Sequence, residues 1–403
     1  MAAVIENEIA VPGMEALVQR AKDMIPWLRE QAESVEQTRS VPKSTVEAFR
    51  KAGFFKILQP KRWGGYAMSP EVLYRVVTEL SRGCPSSGWT VAILAIHQWE
   101  FGKLNPKAGD EVWANDQDIL VSSSYAPTGK ARRVEGGWML SGRWPTSSGS
   151  EHADWGAFLG ARIYSDKGEL VDMNSFLVKH EDYELVDDWH VIGLCGTGSK
   201  SLVIKNEAFV PDHRTHSFTR YELNDSEWTY QMPFNQVFNG VIAAAIIGIA
   251  QGVVDLFIEH TKPKQNQFAM GPGPVKSPFV QEKLGNAVVL IRSARARLLQ
   301  DTQEVSAFAQ RRELVPLELR VQHLLDVQFT AKDCFAAGQM VFKKSGARGI
   351  FLNVPLLRQF RSLVAASNHI TQNEDDISAL VGAYLLGEPI PPGIFEPPVL
   401  AGA

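Results

Sequence analysis

The sequence predicts an α+β fold, mainly α, in three parts. A helical domain covers residues 1–118, a small β-barrel or sandwich covers 119–226, and a four-helix bundle with an extended tail covers 227–403. Three observations predict it. Apolar residues recur at helical spacing up to about residue 115, the texture changes near Ile119 to short alternating runs, and helical spacing returns in longer stretches from Glu227.

In the first part, residues 41–53 carry Pro42 early and Gly53 just past the last turn, the usual asymmetry of a helix. Residues 69–80 repeat that logic, with Ser69 as N-cap and Pro70 in the first turn. Residues 60–66 between them read as a turn. A third helix over residues 87–101 carries Trp89 and His97 among apolar neighbours. In the middle part, alternating runs at 137–141, 155–164, 174–179 and 201–205 are separated by Gly136-Gly137 and by Asp166-Lys-Gly168, as hairpin turns would separate strands. In the last part, helices are expected over 237–260, 278–311, 316–345 and 354–386, joined by short connections except for the Gly/Pro-rich loop 262–277. The proline-rich tail 389–398 cannot be helical, and its Ile394 and Phe395 make sense packed on something such as a neighbouring subunit.

Composition narrows the function classes. Charged residues at 21% and hydrophobic residues at 45% of 403 describe a soluble globular chain with room for a substantial core. The formal charge of −4 gives no reason to expect nucleic acid or an anionic membrane as partner. The apolar run 240–250 is shorter than the ~20 residues of a membrane span and reads as a buried core helix. Cys84, Cys195 and Cys334 form neither a disulfide framework nor a metal motif, and the first residues lack a signal-peptide pattern; a reducing cytoplasm is the expected compartment. The nine histidines do not fall at metal-ligand spacing, so no metal is expected, and the pair His213 and His216 is expected in a surface loop. Gly193-Leu-Cys-Gly-Thr-Gly-Ser199 fails as GxGxxG because Ser201 stands at the third glycine position, and it leads into a strand.

The remaining candidates are scattered. Leu120-Val-Ser-Ser-Ser-Tyr-Ala-Pro-Thr-Gly129 and Leu140-Ser-Gly-Arg-Trp-Pro-Thr-Ser-Ser-Gly149 place small hydroxyls at strand ends. Such residues either form serine-rich turns or suit a flat, polar-edged ring lying against the backbone. His97 and His369 each sit among apolar residues, as core histidines or as acid–base groups. Asn373 stands one helical turn beyond His369, where it could orient the ring. Glu374, Asp375 and Asp376 read equally as a solvated face. Lys262 and Lys264 are either exposed loop lysines or contacts to a phosphate.

Taken together, six segments carry a resemblance. They are Ala52-Gly-Phe-Phe-Lys-Ile-Leu-Gln-Pro-Lys-Arg-Trp-Gly-Gly65, Cys84-Pro-Ser-Ser-Gly-Trp89, Val121-Ser-Ser-Ser-Tyr-Ala-Pro-Thr-Gly129, Ser141-Gly-Arg-Trp-Pro-Thr-Ser-Ser-Gly149, the 193–199 loop and Phe209-Val-Pro-Asp-His-Arg214. In this order they resemble the acyl-CoA dehydrogenase fold. The nearer likeness is to its flavin-dependent monooxygenase branch, the oxygenase components of two-component aromatic hydroxylases such as secosteroid phenol hydroxylase and 4-hydroxyphenylacetate 3-hydroxylase. The resemblance implies a helical N-domain, a central small β-barrel and a C-terminal four-helix bundle. It also implies reduced FMN or reduced FAD supplied by a separate NAD(P)H-dependent flavin reductase, O2 as co-substrate, a small aromatic substrate and a homotetramer. In such enzymes a flavin C4a-hydroperoxide delivers the oxygen.

Carried over by position, Ser148 matches a serine near flavin N5, Ser123 one near the phenol, and Trp89 and His97 the helix lining both. His369 matches the partner of the substrate hydroxyl, a role in which it would act as base, and Asn373 its companion. Trp89, Ser123, Ser124, Trp144, Ser147, Ser148, Lys262 and Lys264 form the expected cofactor-binding set, and Phe238 joins Trp89 and Trp144 as a candidate for the apolar wall. The sequence departs from the branch at Lys262 and Lys264, at Cys195 and at Ser362, which leaves the phosphate contacts and the identity of the ring open. Two other reactions use this scaffold: FAD-dependent acyl-CoA dehydrogenation, for which no matching catalytic glutamate is found, and monooxygenation of a sulfur or nitrogen heterocycle of thiophene or indole type.

Overall fold

The computed structural model describes residues 11–263 and 273–390. The helical first part comprises α1 (Met14–Asp23), α2 (Ile25–Thr38), α3 (Lys43–Lys51), α4 (Pro70–Gly83), α5 (Pro85–Glu100) and α6 (Pro106–Val112). Ser69 caps α4 as expected, its hydroxyl accepting from the Glu71 amide. Gly53 follows α3 at φ +82°, a conformation that a side chain would strain. Every residue of α5 is buried, so this helix is a core strut and any polar atom on it needs a partner inside the protein.

The β-rich part is one seven-stranded sheet of β1 (Val121–Val134), β2 (Gly137–Ser147), β3 (Gly156–Tyr164), β4 (Leu170–Lys179), β5 (Glu184–Val186), β6 (Lys200–Pro211) and β7 (Thr215–Ser217), in the order β5-β6-β2-β1-β3-β4-β7. Gly136 at φ +73° turns β1 into β2, with Val134 opposite Gly137. The β1–β3 pair is parallel and the other pairs are antiparallel. Leu140, Trp144, Leu159, Phe176, Val178 and Leu202, from four strands, pack into one core that the sheet wraps. Gly129 lets that core close: a Cβ there would lie 1.8 Å from the Trp144 indole.

The bundle comprises α7 (Phe234–Thr261), α8 (Pro278–Gln310), α9 (Leu317–Phe342), α10 (Pro355–Ser367) and α11 (Glu374–Leu385). By length and composition α7 could cross a membrane, but 78% of its most apolar window is buried inside the protein. It packs on α4, α5, α8, α9 and α10 and so joins the helical first part to the bundle. Gly248 permits the α4 crossing, since a Cβ there would meet the Thr78 carbonyl at 2.2 Å.

The single helix expected over 354–386 is in fact two. Ser367 Oγ and Asn368 Nδ2 bond back to the carbonyls of Leu363 and Val364, which ends α10. His369 then turns to extended backbone and caps a short 3₁₀ turn, Ile370–Gln372. Ile394, Phe395 and Lys264 lie outside the described residues.

Candidate active site

The hydroxyl-rich segments place Ser148 in a buried chain whose direction can be read. Thr197 Oγ1 donates to the Leu194 carbonyl at 2.8 Å, and a carbonyl can only accept. The Thr197 oxygen therefore accepts from Ser199 Oγ at 2.7 Å, and Ser199 accepts from Ser148 Oγ at 2.8 Å. From the other side Trp89 Nε1 on α5 donates to Ser148 Oγ at 3.2 Å. The Ser148 hydrogen is thus committed to Ser199, while its oxygen keeps a lone pair for one more donor. The 193–199 loop supplies Thr197 and Ser199 because Leu194 and Gly198 both adopt left-handed conformations, at φ +55° and +53°. In the sequence that glycine-rich loop stands out as a failed dinucleotide motif and as one of the six resembling segments, and neither marks these two hydroxyls as site residues.

His369 stands across Trp89, with ring centroids 5.6 Å apart. The helix break brings it there. Its Nδ1 accepts from the Thr371 amide at 3.3 Å and faces Thr371 Oγ1 at 2.9 Å. An acceptor at Nδ1 puts the proton of the neutral ring on Nε2. The residue is half-buried, and burial pushes the pKa of the imidazole down to about 4, so the ring is neutral at physiological pH. Asn373 is not its companion. It lies beyond the 3₁₀ turn and bonds Asp376 at 2.7 Å, because the continuous helix that would align positions 369 and 373 does not exist.

Along α5, His97 lies eight residues from Trp89, about 12 Å of helical rise. It belongs to a second buried polar group centred on Glu100, which is 1% exposed. Glu100 Oε1 receives His216 Nε2 at 2.6 Å and Ser175 Oγ at 2.7 Å. Glu100 Oε2 receives the Tyr125 hydroxyl and lies 3.4 Å from His97 Nδ1. Burial alone would raise the pKa of this carboxyl, but the hydrogen bonds from His216 and His97 outweigh it and hold the group at about 2. Burial and the adjacent Glu100 charge push the Tyr125 phenol upward, while a hydrogen bond from Ser123 works the other way. Ser123 and Tyr125 share one face of β1, with the period of two, and that face meets α5. His97 Nε2 is buried and has no hydrogen-bond partner among the described residues. Phe158 and Phe238 flank its ring at centroid distances of 5.8 and 6.3 Å.

Several expectations are corrected. Trp144 is in the sheet core, 0% exposed, with Nε1 bonded to the Gly160 carbonyl at 2.7 Å; on β2 it shares the inward face with Leu140 and cannot line a ligand pocket. The Ser124 and Ser147 hydroxyls are committed within the sheet, to the Pro145 carbonyl and to Ser122. His213 and His216 are not in a free surface loop: His213 pairs with Glu111 at 2.8 Å, and His216 on β7 is the ligand of Glu100. Lys262 is exposed at the C-terminal end of α7, where backbone carbonyls rather than amides face outward. A separate cleft, lined by Glu15, Lys22, Arg75, Glu79 and Arg295, contains none of these residues.

Residues 16–103 match the family described as acyl-CoA dehydrogenase, N-terminal domain, and residues 240–374 match acyl-CoA dehydrogenase, C-terminal domain. The chain is 34% identical to the flavin-dependent monooxygenase, oxygenase subunit HsaA, of Rhodococcus jostii (strain RHA1), over 93% of this chain and 99% of that one. It is 30% identical to the FADH(2)-dependent resorcinol hydroxylase, oxygenase component, of Rhizobium sp. (strain MTP-10005), over 92% and 94%. The crystal structure of 3-HSA hydroxylase from Rhodococcus sp. RHA1 superposes with a TM-score of 0.87 at 34% identity, covering 93% of this chain and 98% of that one. The likeness runs through both helical parts and the sheet between them, and the chain belongs to the flavin-dependent monooxygenases of acyl-CoA dehydrogenase fold, as an oxygenase subunit.

Proposed function

We propose that this oxygenase subunit hydroxylates a phenolic or related aromatic compound, using O2 and reduced FMN or FAD delivered by a separate NAD(P)H-dependent reductase. The observation that carries this reading is the pair of buried polar groups on α5. One is a hydroxyl chain ending at Ser148, which accepts from Trp89 Nε1 while His369 stands across the Trp89 ring; the other is His97 Nε2, without a partner among the described residues and about two helical turns away. These residues fit a flavin: an indole and an imidazole offer flat surfaces, and the free lone pair of Ser148 suits a ring N–H. Bound reduced flavin, with O2, supplies an electrophilic oxygen to an electron-rich ring.

The residues of the chain do the rest. Ser148, fixed by Trp89 and Ser199, accepts and holds a proton at the flavin N5 position, which slows loss of that proton and release of hydrogen peroxide. His369, neutral and protonated at Nε2, acts as a hydrogen-bond donor and not as the base that its position suggested. The Trp89, Phe158 and Phe238 side chains exclude water. The proposal extends to a division near residues 118 and 226 and to a homotetramer.

The test is a mixture of the purified chain, NADH, flavin and O2 with a panel of phenols, indoles and thiophenes, read by product mass. Hydroxylated phenol is expected only when a flavin reductase is added. Tightly bound FAD with oxidation of an acyl-CoA thioester would overturn the reading.

A further inference from the structure

The hydrogen-bond directions around Glu100 determine which nitrogen of His97 carries its proton. Tyr125 donates its hydroxyl hydrogen to Glu100 Oε2, so its oxygen is free only to accept. His97 Nδ1 lies 3.0 Å from that oxygen and 3.4 Å from the carboxylate. Both neighbours accept, so in the neutral ring Nδ1 carries the hydrogen and Nε2 a bare lone pair. His216 holds the other side of the carboxylate. Its Nε2 faces Glu100 at 2.6 Å and donates to it, and its Nδ1 lies 3.0 Å from the Ser217 carbonyl. Ser175 adds a fourth donor at 2.7 Å. A carboxylate clasped in this way cannot rotate, and neither can the histidine it holds. A network serving packing alone would leave no lone pair without a partner at its end, since buried polar atoms are nearly always satisfied. His97 Nε2, at the end of this network, is one of the buried side-chain atoms without a hydrogen-bond partner among the described residues.

We propose that Glu100, directly and through Tyr125, is a positioning residue that locks His97 in the Nδ1–H tautomer and so makes His97 Nε2 the acceptor of the substrate's hydroxyl proton; the second half rests on the phenol reading above. In the step, the phenol O–H bond breaks, the proton bonds to Nε2, and the electron pair stays on oxygen, which enriches the ring. The new positive charge on His97 then faces Glu100 across 3.4 Å. His97 and His369 thereby hold opposite tautomers, one an acceptor and the other a donor, for opposite physical reasons: a carboxylate and a phenol oxygen at Nδ1 of the first, a backbone amide at Nδ1 of the second.

The experiment uses the full chain with its nine histidines labelled with ¹⁵N, two-bond correlation spectra and His97→Asn to identify the signal. Wild type should show His97 with a pyrrole-type Nδ1 and a pyridine-type Nε2. Glu100→Gln should move population to the Nε2–H form. A wild-type His97 in the Nε2–H form overturns the proposal without any variant, so it stays testable if Glu100→Gln does not fold; an unchanged tautomer in folded Glu100→Gln also overturns it. Titration of the same samples with 4-nitrophenol separates the two readings. Wild type should bind it as the coloured phenolate, and Glu100→Gln should lose about tenfold or more of that ionised fraction. If no phenol binds but the tautomers are as expected, the lock stands and the phenol reading falls.

Discussion

Ser148 is held by an indole N–H on one side and a serine on the other, so its free lone pair has a fixed direction. Ser148→Ala removes that lone pair and leaves Trp89 Nε1 and Ser199 without their partner. Reductase-dependent NADH oxidation should be unchanged, while the ratio of hydrogen peroxide to hydroxylated product should rise about tenfold, a loss of roughly 1.4 kcal/mol at the proton it holds. An unchanged ratio would remove Ser148 from the reaction. Ser148, Trp89, His97 and His369 were legible in the sequence because segment order and residue type place them. Glu100 was visible too, three residues from His97 on the same helix, but its meaning was not. It depends on Tyr125 and His216, which are brought in by strands 25 and 116 residues away. Trp144 misled because an aromatic beside serines suits a ligand wall and a sheet core equally well, and only the inward parity with Leu140 on β2 decides.

Among the elements, the long helices and the strands were legible from periodicity, and the break between α10 and α11 was not. The 354–386 stretch keeps helical apolar spacing through the break. The signal lay in Ser367 and Asn368, whose side chains compete for backbone carbonyls. That interruption is what turns His369 toward Trp89.

The α8–α9 seam shows another local conflict. Asp301 and Glu304 of α8 meet His323 and Asp326 of α9. Burial, then the charges of Asp326 and Glu304, push the Asp301 carboxyl up to about 8 against an ordinary 3.8. A raised carboxyl pKa means that the fold holds a proton the unfolded chain gives up. Its stabilising effect is therefore complete below about pH 4 and is lost as the pH rises through about 8. Asp301→Asn imitates the protonated form and escapes that loss. Its melting temperature should exceed wild type by a few degrees, roughly 1–3 kcal/mol, near pH 8, and should match it below about pH 4. A difference equal at both pH values would mean that Asp301 does not titrate in this way.

At the scale of the whole molecule, α7 sets the arrangement. Buried along nearly its whole length, it fastens the bundle to α4 and α5, and α5 in turn carries both ends of the site. The chain leaves other apolar surface uncovered, and it is concentrated in the last third. Ile350, Phe351 and Leu352 are 63%, 59% and 72% exposed in succession, and Phe279, Val289, Leu385 and Leu386 are exposed as well. Soluble chains rarely leave such runs open to water, and most that associate do so with copies of themselves in closed symmetry. This surface supports the homotetramer, and light scattering should give the mass of four chains at micromolar concentration. Phe351→Glu combined with Leu352→Glu places two charges in the exposed run without touching Trp89, Ser148, His97 or Glu100. The double variant should therefore fall to smaller species while its His97 tautomer stays as in wild type. A monomeric wild type would sink the assembly, and the exposed run would then need another partner.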